Sequence, residues 1–311
     1  MQSNRNNEKW ILLILLTLIW GSSFILIKKS LLYYTPYEVG SLRIIIASLL
    51  LLPYALMNIR KFPRKHLKYL IVAAACGNFL PMYLFPMAEM QISSSIAGII
   101  NSMVPIFVII LGALFWSTKT SRTQMLGTLI SFIGVIVLTL GGAESGALKI
   151  VPILLLLLAT VLYAINALTV KAHLGNVEPK LLSAFVFGIV LFFPSLISLG
   201  FSGFFQDFHS TKENWTGLMY VGLLAVFGTG LAMMLNYRLL SVSSALFTST
   251  VTLLMPIVAI GWGVLDGETL GAFQLIGALV IIAGLLFLRS EQKSDVVGRS
   301  EKKGMHKKRP S

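Results

Sequence analysis

The chain has 311 residues, of which 56% are hydrophobic and only 12% are charged. Its mean hydropathy of +0.83 excludes an ordinary soluble domain, in which about one quarter of the residues are charged. The formal net charge of +13 does not predict a nucleic-acid partner, because eight of the basic residues lie between Arg289 and Arg309, near the C-terminus. A solvated tail beside anionic lipid headgroups accounts for them. The lone Cys76 excludes a disulfide framework.

Apolar stretches of about 20 residues, long enough to cross ~30 Å of hydrocarbon, recur along the chain and predict ten transmembrane helices. The first stretch has no small-residue cleavage site and leads into further apolar stretches, so we interpret it as a retained helix and not as a signal peptide. Proline falls at or near the start of several spans, where a helix tolerates it. The predicted spans are Trp10–Lys28, Tyr37–Met57, Leu67–Ala88, Ile92–Trp116, Thr123–Leu140, Pro152–Ala172, Lys180–Gly200, Thr216–Arg238, Ser243–Leu265 and Leu270–Leu288.

An internal repeat divides the chain. The stretch Ser93–Leu138 returns as Ser244–Leu288, with Pro105 and Pro256 at equivalent positions 151 residues apart. A period near half the chain length predicts two structural halves. Each half holds five spans, an odd number, so the second half enters the membrane from the opposite side, a construction common in secondary transporters.

The predicted fold is therefore an all-α integral membrane protein whose ten transmembrane helices form two inverted five-helix repeats. The first repeat comprises residues 1–142, the second residues 143–290, and a basic cytoplasmic tail residues 291–311. With the N-terminus inside, twenty of the 25 lysines and arginines fall in inner segments and four in outer loops. The positive-inside rule then places both termini in the cytoplasm.

Several stretches in order resemble a known family: WGSSF in the first span, Pro36 followed by Arg43, SSSIAGIINSMVP in the fourth span, and QxxGxLxxxxG in the fifth and tenth. Over essentially all ten spans the chain resembles the EamA-type transporters of the drug/metabolite transporter superfamily. The resemblance implies an inner-membrane location and export of metabolites by alternating access. The halves have diverged, because Thr118 aligns with Glu268 and Val186 with Arg43. Any charge-based step is therefore expected to be asymmetric.

The resemblance also implies a central cavity lined by spans one, three, four, six, eight and nine. Polar side chains in these spans should face the bundle interior or water, because an unpaired polar group in hydrocarbon costs several kcal/mol. Ser and Thr hydroxyls also commonly bond between helices, and aromatic residues often mark the membrane interface. An Asn amide has more hydrogen-bonding groups to satisfy than a Ser or Thr hydroxyl. The candidate substrate-binding residues are Trp20, Ser23, Asn78, Tyr83, Asn101, Tyr163, Asn166, Thr229 and Thr252.

Four further residues are candidates for gating, for proton coupling or for another role that depends on charge. Pro105 and Pro256 sit mid-span, where proline kinks a helix, and are predicted hinges of a gate; static kinks are the alternative. Arg43 is charged within a span and is therefore a functional candidate, with pairing to Glu38 or headgroups as the alternative. Glu89, at the outer end of span three, is a candidate for proton coupling or simply a helix cap.

Enzymatic functions are disfavoured. The four histidines fall in loops or the tail, and the spans contain no paired carboxylates, HExxH or CxxC. No GxxxxGK[ST] motif occurs, so this chain is not expected to hydrolyse ATP. We predict a secondary transporter that exports small metabolites such as amino acids or drug-like compounds, with no metal and no cofactor. The alternatives are a nucleotide-sugar or sugar-phosphate carrier, which would require several cavity-facing cations, and a non-transporting membrane scaffold or intramembrane enzyme.

Overall fold

The computed structural model describes residues 2–92, 94–140, 150–265, 272–273, 275–285 and 287, and within these ranges every secondary-structure element is helical. The predicted boundary between the halves and the basic tail lie outside the described residues, as do Asp266 and Glu268. The helices are, in chain order, α1 (Gln2–Ser30), α2 (Pro36–Met57), α3 (Arg64–Glu89), α4 (Ser94–Asn101), α5 (Val104–Phe115), α6 (Arg122–Leu140), α7 (Ile150–Leu174), α8 (Pro179–Phe201), α9 (Phe204–Asp207), α10 (Lys212–Val242), α11 (Ala245–Ser249), α12 (Val251–Leu265) and α13 (Leu275–Leu285).

Six of these helices are long and apolar enough to cross a membrane by length and composition: α1, α2, α3, α7, α8 and α10. Shorter apolar helices cover Val104–Phe115, Arg122–Val137, Ala245–Ala259 and Leu275–Leu285. The outward-facing surface of the bundle carries large apolar side chains such as Leu49, Leu114 and Phe193. In a multi-pass membrane protein such side chains face lipid, while backbone polar groups are satisfied within the helices.

Local sequence signals explain where the helices begin. Thr35 caps α2: its hydroxyl accepts a hydrogen bond from the Glu38 backbone, and the Glu38 carboxylate accepts one from the Thr35 N–H. This capping box satisfies two N–H groups that the first turn leaves free. Pro36 and Pro179 lie in the first turns of α2 and α8, where no intrahelical N–H bond is lost. The alternative pairing of Glu38 with Arg43 is not found, since the ion pair seen among the described residues joins Arg238 to Glu8.

Neither the fourth nor the ninth predicted span is a single uninterrupted helix. The fourth is interrupted between Asn101 and Val104, and the ninth at Thr250. Polar residues at these interruptions bond across them: the Ser102 hydroxyl contacts the carbonyl oxygens of Gly98 at 2.8 Å and Thr252 at 2.9 Å. The two interrupted spans are therefore held against each other.

The interruptions change the setting of the two mid-span prolines. Pro105 lies in the first turn of α5, so it begins a helix and does not kink the middle of one. Pro256 lies inside α12, where a proline does remove a backbone hydrogen bond.

Short π-helical segments widen several long helices. They cover Ala75–Phe79 in α3, Val170–Leu174 in α7, Phe185–Leu191 in α8 and Val226–Leu231 in α10. The segments in α3 and α10 begin 151 residues apart, the same offset that separates Pro105 from Pro256. Such segments re-aim side chains and are frequent at functional sites.

Helices α6 and α13 approach each other through small residues. A Cβ atom on Gly134 would lie 2.7 Å from the backbone nitrogen of Ile281. The hydroxyl of Ser131 donates to the carbonyl of the same Ile281 at 3.1 Å. These contacts bring the two helices close together, because small residues let transmembrane backbones approach each other.

Candidate functional site

A central cavity of about 110 Å³ lies among the helices. It has room for several water molecules or one small molecule, since one water needs ~10–15 Å³ by this measure. Its wall draws on both predicted halves. Seven predicted residues line it: Trp20, Ser23, Arg43, Asn101, Tyr163, Asn166 and Thr252. Helix α2 also contributes, through Arg43, although its span was not among those expected to line the cavity.

Two of the predicted aromatic residues line the cavity. Trp20 lies midway along α1, and its indole Nε1 donates to the carbonyl oxygen of Gly228 at 2.9 Å. Tyr163 lies on α7 and packs near Phe85, with ring centroids 6.0 Å apart. A buried indole N–H usually finds such a partner, so the plane of Trp20 is fixed relative to the π-helical segment of α10.

Two asparagines bring unsatisfied acceptors to the cavity. Asn101 is 3% exposed and Asn166 4% exposed, and neither Oδ1 atom has a hydrogen-bond partner among the described residues. The Nδ2 of Asn101 makes only a weak 3.7 Å contact with the sulfur of Met255. A buried polar atom without a partner carries a free-energy cost, and a bound ligand or ordered water is the usual way to remove it.

The π-helical segments bring glycines against the polar side chains. A Cβ atom on Gly77 would overlap the Asn166 amide, and one on Gly228 would lie 2.7 Å from the Ser23 hydroxyl oxygen. Gly77 and Gly228 are 151 residues apart, and Ser23 and Asn166 are 143 apart. The two contacts therefore join equivalent positions of the two halves, and each one links a residue of one half to a residue of the other.

Arg43 is the charged member of the cavity wall. Its side chain is 8% exposed. Its Nε donates to the hydroxyl of Thr229 at 2.6 Å, and its Nη2 to the carbonyl of Gly228 at 3.3 Å. Both acceptors are neutral, so they hold the guanidinium in place without neutralising its charge.

The side chains of Ser23 and Thr252 line the cavity, and each hydroxyl donates to a carbonyl oxygen three or four residues earlier in the chain. Ser23 donates to Ile19 O at 3.0 Å, and Thr252 donates to Ser249 O at 2.8 Å. Each oxygen keeps lone pairs that can accept a further hydrogen bond. These hydroxyl oxygens could therefore bind a ligand as well, but unlike the asparagine oxygens they do not need a ligand to be hydrogen-bonded.

Three predicted binding residues do not line the cavity. Asn78 is buried in the π-helical segment of α3, where its amide donates to Ala73 O at 3.3 Å and contacts the Tyr237 hydroxyl at 3.5 Å. The Tyr83 hydroxyl lies 3.0 Å from that of Ser41. Thr229 lies behind the wall and supports Arg43. Asn78 and Tyr83 thus tie helices together, which was the alternative for polar residues in spans.

Pro105, Pro256 and Glu89 do not line the cavity either. Pro105 and Pro256 are buried next to it, beside Val104 and Met255, which do line it. Glu89 ends α3, as predicted.

Sequence reasoning missed the apolar part of the wall, including Met82, Met233 and Met255, because a methionine in an apolar span carries no signal of its own.

The described residues contain no group of three or more His, Cys, Asp or Glu that could hold a metal ion. The chemistry available in the cavity is therefore hydrogen bonding, one positive charge and apolar contact. Such an arrangement suits recognition of a small molecule.

Comparison with known proteins identifies the relatives of this chain. The sequence profile of the EamA-like transporter family matches residues 8–140 and again residues 150–290. An "Uncharacterized transporter" of Archaeoglobus fulgidus is 28% identical over 281 residues, covering 89% of this chain and 97% of that protein. The "Uncharacterized inner membrane transporter YedA" of Escherichia coli strain K12 is 29% identical over 286 residues, covering 88% of each chain.

A third relative has a more specific name. The "Probable amino-acid metabolite efflux pump" of Salmonella typhimurium strain LT2 is 27% identical over 285 residues, covering 88% of this chain and 92% of that protein. A solved crystal structure of another protein matches with a TM-score of 0.69 at 15% identity, covering 92% of this chain and 99% of that one. At that identity the structural match establishes the fold alone.

Proposed function

The chain belongs to the EamA-like transporter family, and from that premise we propose that it is a secondary transporter that exports small metabolites, such as amino acids or drug-like compounds, across the inner membrane by alternating access. The observation that carries the proposal is the cavity, with a polar wall drawn from both family-matched segments inside an apolar bundle. The name of the Salmonella relative supports amino acids among the cargo.

The proposed topology is ten crossings in two inverted repeats. The six long apolar helices supply six crossings, and α6, α13 and the interrupted pairs α4–α5 and α11–α12 supply four. The equivalent contacts of Gly77 with Asn166 and of Gly228 with Ser23 support a two-fold relation between the halves. The positive-inside distribution supports cytoplasmic termini. Alternating access would then be a rocking movement of one half against the other around the cavity.

The alternative functions find less support. A nucleotide-sugar or sugar-phosphate carrier would need several cations around the phosphates, and among the described residues that line the cavity Arg43 alone is charged. A scaffold would have no reason to bury two asparagine oxygens without partners beside an open space. Transporters are not enzymes, and we assign this chain no catalytic residue.

Reconstitution into proteoliposomes tests the proposal. Efflux of radiolabelled amino acids and cationic dyes would be measured with and without an imposed pH gradient. We expect at least one compound to move, and an Asn101→Leu/Asn166→Leu double variant to lose most of this movement. The matched control is Asn176→Leu, in an exposed turn after α7, which should transport normally.

The pH gradient separates the coupling mechanisms. Movement that depends on the gradient would support proton coupling and make Glu89 the first carboxylate to substitute. Movement indifferent to pH would indicate facilitated diffusion. A folded preparation that moves none of the compounds would contradict the proposed function.

A further inference from the structure

We propose that Arg43 binds a carboxylate of the transported molecule, and that the unpartnered oxygens of Asn101 and Asn166 accept hydrogen bonds from the same molecule, so that the cargo enters the cavity in one orientation. This inference rests on the proposed transport function. It assigns Arg43 as a specificity-determining residue.

The first support is the electrostatic setting of Arg43. It is the charged residue among the described residues that line the cavity, and a charge inside a membrane protein is costly unless it serves a partner or a pathway. The ion pair found among the described residues joins Arg238 to Glu8, at an end of the bundle. Glu89, at the end of α3, acts on the guanidinium electrostatically at longer range, and Glu38 caps α2.

The second support is the geometry of the guanidinium. Its contacts with Thr229 and Gly228 use Nε and one N–H of Nη2. A guanidinium has five N–H groups, so these two contacts leave three unused in a side chain that lines the cavity. A planar pair of N–H groups matches a carboxylate, which accepts two parallel hydrogen bonds. Because both acceptors are neutral, the two contacts orient the guanidinium without neutralising its positive charge. The charge can therefore attract an anionic ligand.

The third support is the complementary chemistry of the rest of the wall. Asn101 and Asn166 are buried, line the same cavity and leave their Oδ1 atoms unpartnered. Such acceptors suit a donor such as an ammonium group. Methionines 82, 233 and 255 form flexible apolar surface between the polar groups, which adapts to side chains of different shape. The wall therefore fits a small zwitterion with an apolar side chain.

A carboxylate fits better than a phosphate. A phosphate monoester carries close to two negative charges at neutral pH, and the wall offers one cation among its described residues. The two halves differ at this position, because residue 186, which is equivalent to Arg43, is a valine. The positive charge therefore lies on one side of the site only. A ligand with one anionic end is thereby held in a single orientation, although the halves are otherwise similar.

Matched compounds on one carbon skeleton test the inference. Binding to the purified full chain would be measured by calorimetry and ligand-induced thermal stabilisation. The probes are L-leucine, 3-methylbutylamine, which lacks the carboxylate, 4-methylpentanoate, which lacks the amine, and a sugar phosphate. We expect the wild type to prefer L-leucine at least tenfold over the amine. Arg43→Gln should weaken binding of L-leucine and 4-methylpentanoate about tenfold or more and leave the amine within twofold.

Further variants separate recognition from folding. Arg43→Lys keeps the charge but loses the fork and should fall between the wild type and Arg43→Gln. Thr229→Val removes the hydrogen bond that orients the guanidinium and should weaken carboxylates selectively, although Thr229 does not line the cavity. Asn101→Leu should weaken L-leucine more than 4-methylpentanoate. The control Lys28→Gln alters an exposed cation at the end of α1 and should bind all probes normally.

Contrary results are equally specific. The inference is overturned if Arg43→Gln weakens all probes alike, if the wild type binds no carboxylate better than its matched amine, or if the sugar phosphate binds most tightly. A wild type that transports cationic dyes but ignores carboxylates would retain the proposed function and lose this inference. A wild type that transports nothing would lose both.

Discussion

Two glycines determine how closely the polar residues of the cavity are packed. Gly77 lies against the amide of Asn166 and Gly228 against the hydroxyl of Ser23, and the carbonyl oxygen of Gly228 accepts the indole N–H of Trp20. Neither position has space for a methyl group. The polar residues of one half are thus positioned by the backbone of the other half, and not only by their own helices.

The prediction at this scale concerns Gly77→Ala. The added methyl group would overlap the Asn166 amide, and overpacking of this kind costs about 1–3 kcal/mol. We expect a lower melting temperature in detergent and loss of transport. The control Gly222→Ala adds a methyl group that meets no atom within 4 Å and should melt like the wild type or slightly higher.

A second substitution identifies the cause. Asn166→Ala in the Gly77→Ala background removes the group that the methyl overlaps, and should restore the melting temperature without restoring transport. If Gly77→Ala melts and transports like the wild type, the contact does not constrain the cavity.

Residue chemistry alone predicts part of the site. Asn101, Asn166, Tyr163 and Trp20 could be found from the sequence, because polar or aromatic residues deep in apolar spans must face something other than lipid. Asn78 satisfies the same rule but bonds within its own helix and to Tyr237. Periodicity cannot separate the two outcomes, since the π-helical segment shifts the direction of side chains that follow it.

Interrupted and widened helices distinguish the elements around the cavity from those that face lipid. The interruptions after Asn101 and at Thr250 place short helices with polar ends beside the cavity. Backbone of this kind is tolerated at membrane depth only where protein or a cavity covers it. The matched π-helical segments of α3 and α10 also contribute to the cavity wall, through Gly77 and Gly228. The π-helical segments of α3 and α10 begin 151 residues apart, and the interruptions fall in the corresponding fourth and ninth spans.

The prediction at the scale of elements concerns Pro256, which lies inside α12 and is buried beside the cavity. If α12 bends there during transport, Pro256→Ala should slow transport severalfold while leaving the ligand affinity nearly unchanged. The matched control is Pro53→Ala, because Pro53 also lies inside a helix but faces outward from the bundle. Efflux rates and binding isotherms would be compared for both variants.

A static kink gives a different result. Pro256→Ala would then alter stability or affinity without a selective effect on rate, or alter nothing. Pro105→Ala should have a smaller effect on rate than Pro256→Ala, since Pro105 stands in the first turn of α5 and no interior hydrogen bond is lost there.

The sequence predicted the positions of most helices but not their irregularities. Helix starts were marked by Pro36, Pro179 and the capping residues around Thr35. The interruption at Ser102 has no glycine or proline at the break itself. It is stabilised by a hydrogen bond to Thr252, 150 residues away, and a contact so distant in sequence leaves no local pattern.

Considered as a whole, the molecule has charge at its ends, apolar surface around its middle, and polar groups at its centre. Lysines and arginines flank the long helices, as at Arg60 and Lys61 between α2 and α3. Family membership and the six long helices establish a multi-pass membrane transporter. The orientation proposed here follows from the distribution of positive charge alone.

The prediction at this scale tests that orientation. In a Cys76→Ser background, Lys61→Cys should react with a membrane-impermeant thiol reagent only from the cytoplasmic side, and Lys212→Cys only from the outer side. Both side chains are exposed at helix ends, so the label can reach them in the folded protein. Labelling of intact cells and of inverted vesicles gives the two accessibilities.

The two positions control for each other. Labelling of Lys212→Cys from the cytoplasmic side and of Lys61→Cys from the outer side would reverse the proposed orientation. Labelling of both from one side would contradict an odd number of crossings between positions 61 and 212, and with it the inverted arrangement.

The reciprocal contacts of Gly77 with Asn166 and of Gly228 with Ser23 bear on how the protein is made. Each polar side chain is covered by a glycine that belongs to the other half, so neither half can seal its own interior. During synthesis the first half enters the membrane before its partner has left the ribosome. We therefore expect its polar groups to stay hydrated or transiently hydrogen-bonded until the later helices pack against them, so that the two halves complete each other's interior late in assembly.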